Sequence, residues 1–319
     1  MIFADLHSDT VTALDPGQWR EGEGQISWRK LKEAGYGLQC VAVFQPYERG
    51  DLFDNFMRYA SLLDESVEQN ADLVVKVTDT RGIEEAVGAG KVALMLTIEE
   101  GGTMEGSIDK LHALYERGVR MMTLTWNYPN ELGYPNLDIA SYKNDRLFSL
   151  SHTDSRGLTP LGIETVAEMD RLGMIVDVSH LSDGGFWDVV RYGTKPFVAS
   201  HSNAREVCGV ARNLTDPMLK ALAEKGGVAG LNLCPDFLRQ GEGDLLQASL
   251  AHVKHVLDVA GEDVLALGTD YDGIHPLPPL VGCETTPLLA DYLSRSIPSR
   301  VVDKMMWSNP MRVFADVIG

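Results

Sequence analysis

The 319-residue chain reads as an α/β protein, a closed (β/α)8 barrel of the TIM type, and three observations carry that expectation. Short runs rich in Val, Ile, Leu or Met recur eight times. Helix-like stretches separate them, several ending near a glycine just ahead of the next run. His, Asp and Glu then collect immediately after the runs, where a barrel of this kind carries its chemistry.

In chain order the runs are IFADLH (2–7), AGYGLQCVAVF (34–44), AGKVALMLTIE (89–99) and RGVRMMTLTW (117–126). LGMIVDVSH (172–180), KPFVASH (195–201), KGGVAGLNL (225–233) and AGEDVLALGTD (260–270) follow. Near-continuous apolar runs of this length suit strands buried on both faces, and glycine is the expected stop at a helix C-terminus. In GSIDKLHALYERG, Ile108, Leu111, Leu114 and Tyr115 make an apolar helical stripe. Thr159–Pro160 and Asp216–Pro217 read as N-cap and N1 pairs. Strands alternating with helices give a parallel sheet, and eight such units close a barrel at a length somewhat above the usual ~250 residues. A doubly wound open sheet needs a glycine-rich phosphate loop after its first strand, and LHSDTVTALD has no glycine.

No Gly/Ser-rich linker divides the chain, so residues 1–319 read as one barrel domain. The segment of about 127–160, after the fourth run, exceeds an ordinary βα loop and is expected to cover the site or meet a partner subunit. A formal net charge of −18 argues against nucleic acid or an anionic membrane as partner. Cys40, Cys208, Cys234 and Cys283 are scattered and do not form a disulfide framework. No signal-peptide pattern, apolar span or hydrophobic C-terminal tail is evident, and a cytoplasmic location is expected.

The residues after the runs are His7 and Asp9, Glu99 and Glu100, His180, His201, and Asp270 with Asp272. Residues i and i+2 of a strand point the same way, so His7 and Asp9 can converge. Imidazoles and carboxylates together suit Zn²⁺ or a similar divalent ion. The set exceeds what one tetrahedral ion takes, whereas a carboxylate shared by two ions about 3.5–4 Å apart accounts for the surplus. His152, His255 and His275 read as surface or loop residues, and Cys234 as a small buried hydrophobe.

The ordered set DLHSDT, TIEEGG, LYERGVRMMTLTWN, GLTPLG, IVDVSH, ASHSNAREVCGVARNLTD and GTDYDG resembles the membrane (renal-type) dipeptidases and their bacterial relatives. These are zinc peptidases of the amidohydrolase superfamily. The resemblance runs through essentially the whole chain and implies a metal-dependent hydrolase barrel, commonly a homodimer. It implies that His7 and Asp9 hold one Zn²⁺, His180 and His201 a second, and that a glutamate bridges both. Glu99 matches that bridge, with Glu100 the alternative. Mn²⁺ or Co²⁺ in place of zinc stays open.

By the same resemblance Asp270 is the catalytic acid/base, and Arg212 grips the substrate's terminal carboxylate. The implied reaction is hydrolysis of a small dipeptide, L-Xaa-D-Xaa included, by a hydroxide shared between the two ions. Renal-type members carry a histidine where this chain has Trp126 and a tyrosine where it has Cys234. Trp126 is therefore expected as pocket wall and Asn127 as a substitute donor to the substrate. Two other readings stand beside this one. The first is a binuclear amidohydrolase acting on an N-acyl amino acid, cyclic amide or lactone. The second is a catalytically inactive barrel that only captures a ligand.

Overall fold

A computed structural model describes residues 1–46, 50–139 and 151–319. Its strands are β1 (Phe3–Asp5), β2 (Tyr36–Phe44), β3 (Val74–Val77), β4 (Val92–Glu99) and β5 (Met121–Thr123). β6 (Ile175–Asp177), β7 (Val198–Ala199), β8 (Val228–Leu231) and β9 (Leu265–Leu267) complete the sheet. All pairings are parallel, and β1 joins β9 while β2 joins β4, so eight strands close a barrel with helices around it.

The ninth strand is an addition to the expected eight-stranded ring, which closes as predicted. β3 pairs with β4 alone, from Val74↔Val92 to Val77↔Met95, on the edge that β5 takes over from Thr97 onward. It lies outside the closed ring. Predicted strands three to eight are therefore β4 to β9.

Alternate strand residues divide between two apolar layers. Leu38, Cys40, Ala93, Met95, Met121, Ile175, Val198 and Val228 fill the barrel, joined by Phe314 and Val317 of the C-terminal helix Asn309–Val317. Val41, Val43, Leu94, Leu96, Met122 and Val176 pack outward against the helices. The two-residue repeat of a strand continues Ala93 and Met95 to Thr97 and Glu99. Glu99 therefore faces the interior at the carboxyl end of the barrel.

Local stops agree with the sequence. The helix Trp28–Ala34 ends at Gly35 with φ 91°, and Pro160–Leu172 ends at Gly173 with φ 76°. Without a Cβ, glycine takes this left-handed conformation at little cost. Thr159 caps Pro160–Leu172, its hydroxyl accepting from Gly162 N. Leu111 and Leu114 of the helix Ile108–Glu116 are fully buried, with Ile108 and Tyr115 at the edge of the same core.

The cap assigned to Asp216 moves by one residue. Thr215 caps the helix Asp216–Glu224 by accepting from Met218 N, which frees the Asp216 carboxylate to pair with His255 at 2.6 Å. Among the described residues no helix is long and apolar enough to cross a membrane.

Candidate metal centre

The strand ends place the expected residues together. His7 and Asp9 follow β1, Glu99 ends β4, His180 follows β6, His201 follows β7 and Asp270 follows β9. All six are at least nine-tenths buried. Glu99 stands at the centre. Its Oε1 lies 2.9 Å from His180 Nε2 and 3.3 Å from His201 Nε2, while its Oε2 lies 3.5 Å from His7 Nε2. Asp9 Oδ1 is 3.7 Å from His7 Nε2. Asp270 completes a third grouping with His7 and His201.

The neighbours of the two histidines fix their tautomers. Asn127 Oδ1 lies 2.9 Å from His180 Nδ1 and can only accept, so His180 carries its proton on Nδ1. Ser200 donates its hydroxyl to Asp177 Oδ2 at 2.6 Å. It therefore accepts from His201 Nδ1 at 2.7 Å. Both Nε2 atoms are left bare, and they face each other at 3.0 Å beside Glu99 Oε1. Three acceptors meet there with no hydrogen among them. His7 Nε2 and Asp9 Oδ1 are also buried without a hydrogen-bond partner. Buried polar atoms without partners are costly, and a divalent cation would satisfy them. The donor set fits metal.

The electrostatics agree. Burial, then the charges of Arg212 and His7, hold His180 well below the usual imidazole range. His201 is lowered in the same way by burial, His7 and Arg212. Both are thus neutral, as an imidazole must be to hold a metal. Burial, and then the neighbouring Asp9, push Glu99 up to about 8. Burial opposes a charge on His7, but Glu99 and Asp9 outweigh it and raise it well above the imidazole range. Negative charge is crowded here, and a cation relieves it.

Glu100, the alternative bridge, faces away from the cluster. Its carboxylate accepts from Gly102 N at 2.8 Å, Trp126 N at 2.9 Å and Asn130 Nδ2 at 2.5 Å. Asp272 is likewise occupied elsewhere, accepting from Thr10 Oγ1 at 2.7 Å and Gln25 N at 2.8 Å. Glu100, His180, Asp270 and Asp272 are non-glycine residues with φ between 64° and 90°. Such conformations cost of order 1–3 kcal/mol each and cluster at working sites. Gly273 has a steric reason to be glycine, since a Cβ there would meet Asp9 Oδ2 at 2.0 Å and Asp270 Oδ1 at 2.7 Å.

Arg212 is buried beside the cluster. Its Nη1 donates to Ser202 Oγ at 2.6 Å, and its guanidinium lies 5.8 Å from the Phe237 ring centre. Among the described residues its Nε and Nη2 have no partner. Trp126 and Asn127 both line the cleft above the cluster. Asn127 accepts from His180 Nδ1 through its carbonyl, which orients that ring and leaves its amide nitrogen as a donor. His275, read as a bland histidine, lines the same cleft, and His255 sits on the helix Leu245–Ala260 paired with Asp216. His152 is exposed. Cys234 also lines the cleft, where burial raises its thiol to about 12.

The segment 127–139 leans on its neighbours. Asn136 donates to Asp183 Oδ1 at 2.8 Å and to Ala211 O at 2.9 Å, and its own carbonyl accepts from Asp154 N at 2.8 Å. That ties the segment to the loops after β6 and β7. Residues 140–150 of the expected cover lie outside the described residues.

Sequence reasoning missed the carboxylates that hold the loops in place. Asp177 accepts from Ser179 N at 3.0 Å, Ser200 N at 2.8 Å and Thr123 Oγ1 at 2.6 Å, joining three strand ends. Asp5 accepts from His7 N at 3.2 Å, Thr269 N at 2.9 Å and Thr269 Oγ1 at 2.6 Å, joining β1 to β9. Asn232 donates to Asp270 Oδ2 at 2.9 Å. The available signal was an acid inside an otherwise apolar run, as in FADL and IVDV.

Residues 1–318 match the family model described as membrane dipeptidase, peptidase family M19. A Klebsiella pneumoniae protein, described as uncharacterized and encoded in the pqqA 5′ region, is 33% identical over 273 residues, covering 84% of this chain and 98% of its own. An uncharacterized dipeptidase of Schizosaccharomyces pombe is 29% identical over 304 residues, 89% of this chain and 70% of its own. Among solved structures, the metallopeptidase dipeptidase AC of family M19 superposes with a TM-score of 0.89 at 24% identity, over 100% of this chain and 99% of that one. A Rhodobacter sphaeroides metallopeptidase, liganded with a phosphinate mimic of the dipeptide L-Ala-D-Ala, gives 0.85 at 22%, over 99% of both chains. With its whole length matched and its strand-end residues gathered around one glutamate, the chain belongs to the membrane dipeptidase family of metallopeptidases, family M19.

Proposed function

We propose that the chain hydrolyses dipeptides bearing a free C-terminal carboxylate, with two divalent ions held on either side of Glu99. His7 and Asp9 would hold one, His180 and His201 the other, and Glu99 both. The observation that carries this is the splayed Glu99 carboxylate, one oxygen toward His180 and His201 and the other toward His7. Imidazole and carboxylate donors favour Zn²⁺, with Mn²⁺ and Co²⁺ the nearest alternatives. Such ions supply Lewis acidity and a nucleophile at neutral pH.

The chain's own residues do the rest. Asp270 moves the proton. Burial raises its carboxyl to about 6, near the working range of a general acid–base, and Asn232 holds one oxygen so that the other faces the cleft. It accepts a proton as the amide is attacked and returns it to the leaving amine. Arg212 offers Nε and Nη2 to a carboxylate, the planar pair of donors that such a group takes best. A substrate anchored by its carboxylate this close to the reacting centre has room for one residue beyond the scissile bond, which excludes internal peptide bonds. The R. sphaeroides neighbour, bound to a mimic of L-Ala-D-Ala, supports a dipeptide and makes L-Xaa-D-Xaa part of the class.

The test is metal content and turnover on the same samples. Purified protein loaded with Zn²⁺ should bind two ions per chain and cleave L-Xaa-L-Xaa or L-Xaa-D-Xaa dipeptides, losing turnover on chelation. Asp270→Asn should keep both ions while kcat falls about 10²–10⁴-fold, the usual worth of general acid–base catalysis. Two bound ions with no turnover of any dipeptide would refute the substrate. Loss of the ions in Asp270→Asn would refute the role given to Asp270.

A further inference from the structure

The cleft above the cluster encloses about 860 Å³, and its walls differ from side to side. Arg212 stands in the loop after β7. Round the closed sheet, β7 is four strands from β2 in either direction. The end of β2 therefore lies across the barrel mouth from the end of β7, whose following loop carries Arg212. Phe44 is the last residue of β2, level with Glu99 in the register. Its ring packs on Trp126 with centres 4.7 Å apart and planes tilted by 55°. Trp126 lies 5.2 Å from Tyr128 and 6.1 Å from His180. Pro46, Ala13, Ile274 and Leu277 continue the wall around that side.

This wall is mostly apolar, with Thr12 and His275 beside it, Asp236 lies on the β8 side of the cleft, and the other acids that line it already have work. Asp9, Glu99 and Asp270 belong to the cluster, and Asp272 is held by Thr10 and Gln25. The two positions that depart from the renal-type pattern are Trp126, which belongs to this wall, and Cys234, which lines the cleft on the β8 side.

We infer that Phe44, Trp126, Ala13, Ile274 and Leu277 form the subsite for the side chain of the substrate's first residue, and that the enzyme selects dipeptides beginning with a large apolar residue. The inference rests on the dipeptidase reading, because it is Arg212 on the terminal carboxylate that aims the first residue toward β2. A leucine or phenylalanine side chain there removes apolar surface from water on both partners. An aspartate or a lysine side chain must instead give up water against Phe44 and Trp126.

The experiment compares kcat/KM of the Zn²⁺-loaded enzyme for L-Leu-Ala and L-Phe-Ala with Gly-Ala, L-Asp-Ala and L-Lys-Ala, in series ending in L-Ala and in D-Ala. In whichever series is cleaved, the apolar substrates should lead glycine and both charged residues by about tenfold or more, the scale on which a hydrophobic pocket discriminates. Phe44→Ala should lower the Leu:Gly ratio by about tenfold, chiefly through KM, and Phe44→Leu should restore most of it. Leu277→Asn, at a residue 43% exposed and hence safe for folding, should lower the same ratio less. A flat profile across the five substrates, or a charged first residue leading, overturns the inference and leaves the dipeptidase reading standing. A Leu:Gly ratio that neither Phe44→Ala nor Leu277→Asn moves also overturns it. Cleavage of none of the dipeptides removes both.

Discussion

Arg212→Met separates grip from scaffolding. The side chain is only 4% exposed, and two of its donors, Nε and Nη2, have no partner while Nη1 holds Ser202. A substrate carboxylate engaging both free donors would gain two charged hydrogen bonds, each worth about 1.5–3 kcal/mol, or about 3–6 kcal/mol together. At 1.36 kcal/mol per factor of ten, methionine should lower kcat/KM for a free dipeptide by about 10²–10⁴-fold. Methionine keeps the apolar bulk against Phe237, so the loss is not one of packing. The assay is kcat/KM of wild type and variant on a dipeptide and on the same dipeptide as its C-terminal amide. The amide has no carboxylate to grip and should lose less than tenfold, which makes the comparison a double-mutant cycle with one change on the substrate. The variant should also melt no lower than the metal-free wild type by more than a few degrees, because an incompletely partnered buried cation is itself unfavourable. Equal losses on acid and amide, or a collapse in melting temperature, would show that Arg212 holds the loop together and recognises nothing.

Other outcomes follow from the same geometry. Glu99→Gln should reduce bound metal below two ions per chain by elemental analysis and remove most activity. Glu100→Gln should keep both ions and cost about 1–3 kcal/mol of stability through weakened bonds to Trp126 N and Asn130; metal loss in the second variant would reverse the two assignments. His252 accepts from Ala204 N at 3.1 Å and donates to Leu238 O at 2.9 Å, and burial lowers it to about 4, against about 6.5 in an unfolded chain. Its contribution is therefore fully present above about pH 6.5 and is lost as pH falls toward 4, by about 3 kcal/mol in total. Urea unfolding at pH 7 and pH 4.5 should show a smaller acid loss in His252→Gln than in wild type, and parallel pH profiles would contradict it.

Most of the barrel could be read from the chain because its strands are long apolar runs with chemistry at one end. β3 escaped that rule for a physical reason. It pairs on one edge only, and Val75 and Lys76 remain partly exposed, so VVKV looks like the tail of the preceding helix. The cap at 215–216 was ambiguous because Thr215 and Asp216 are both good caps, and only the threonine hydroxyl reaches Met218 N. The residues that gather around Glu99 were legible in type and position. Glu99 against Glu100 turned on which of two adjacent residues keeps the inward parity of β4, which the two adjacent acids of TIEEGG do not show by themselves. The tautomer of His180 depends on Asn127, 53 residues away, and that of His201 on its neighbour Ser200, which Asp177 turns from 23 residues away; sequence position alone shows neither contact.

The Asp5 clamp has a consequence for how the molecule matures. Its bonds to Thr269 reach across 264 positions of sequence, so His7 and Asp9 are set in place only when the last strand has docked beside the first. Contacts so distant along the chain form late, because the closing entropy of the intervening loop must be met first. Until then His7 and Asp9 are an ordinary pair of side chains with weak hold on an ion. Affinity for an ion at His7 and Asp9 would therefore arrive with ring closure, and that ion would secure the seam between β1 and β9. A barrel arrested one strand short would keep only the Glu99, His180 and His201 grouping with which to hold metal.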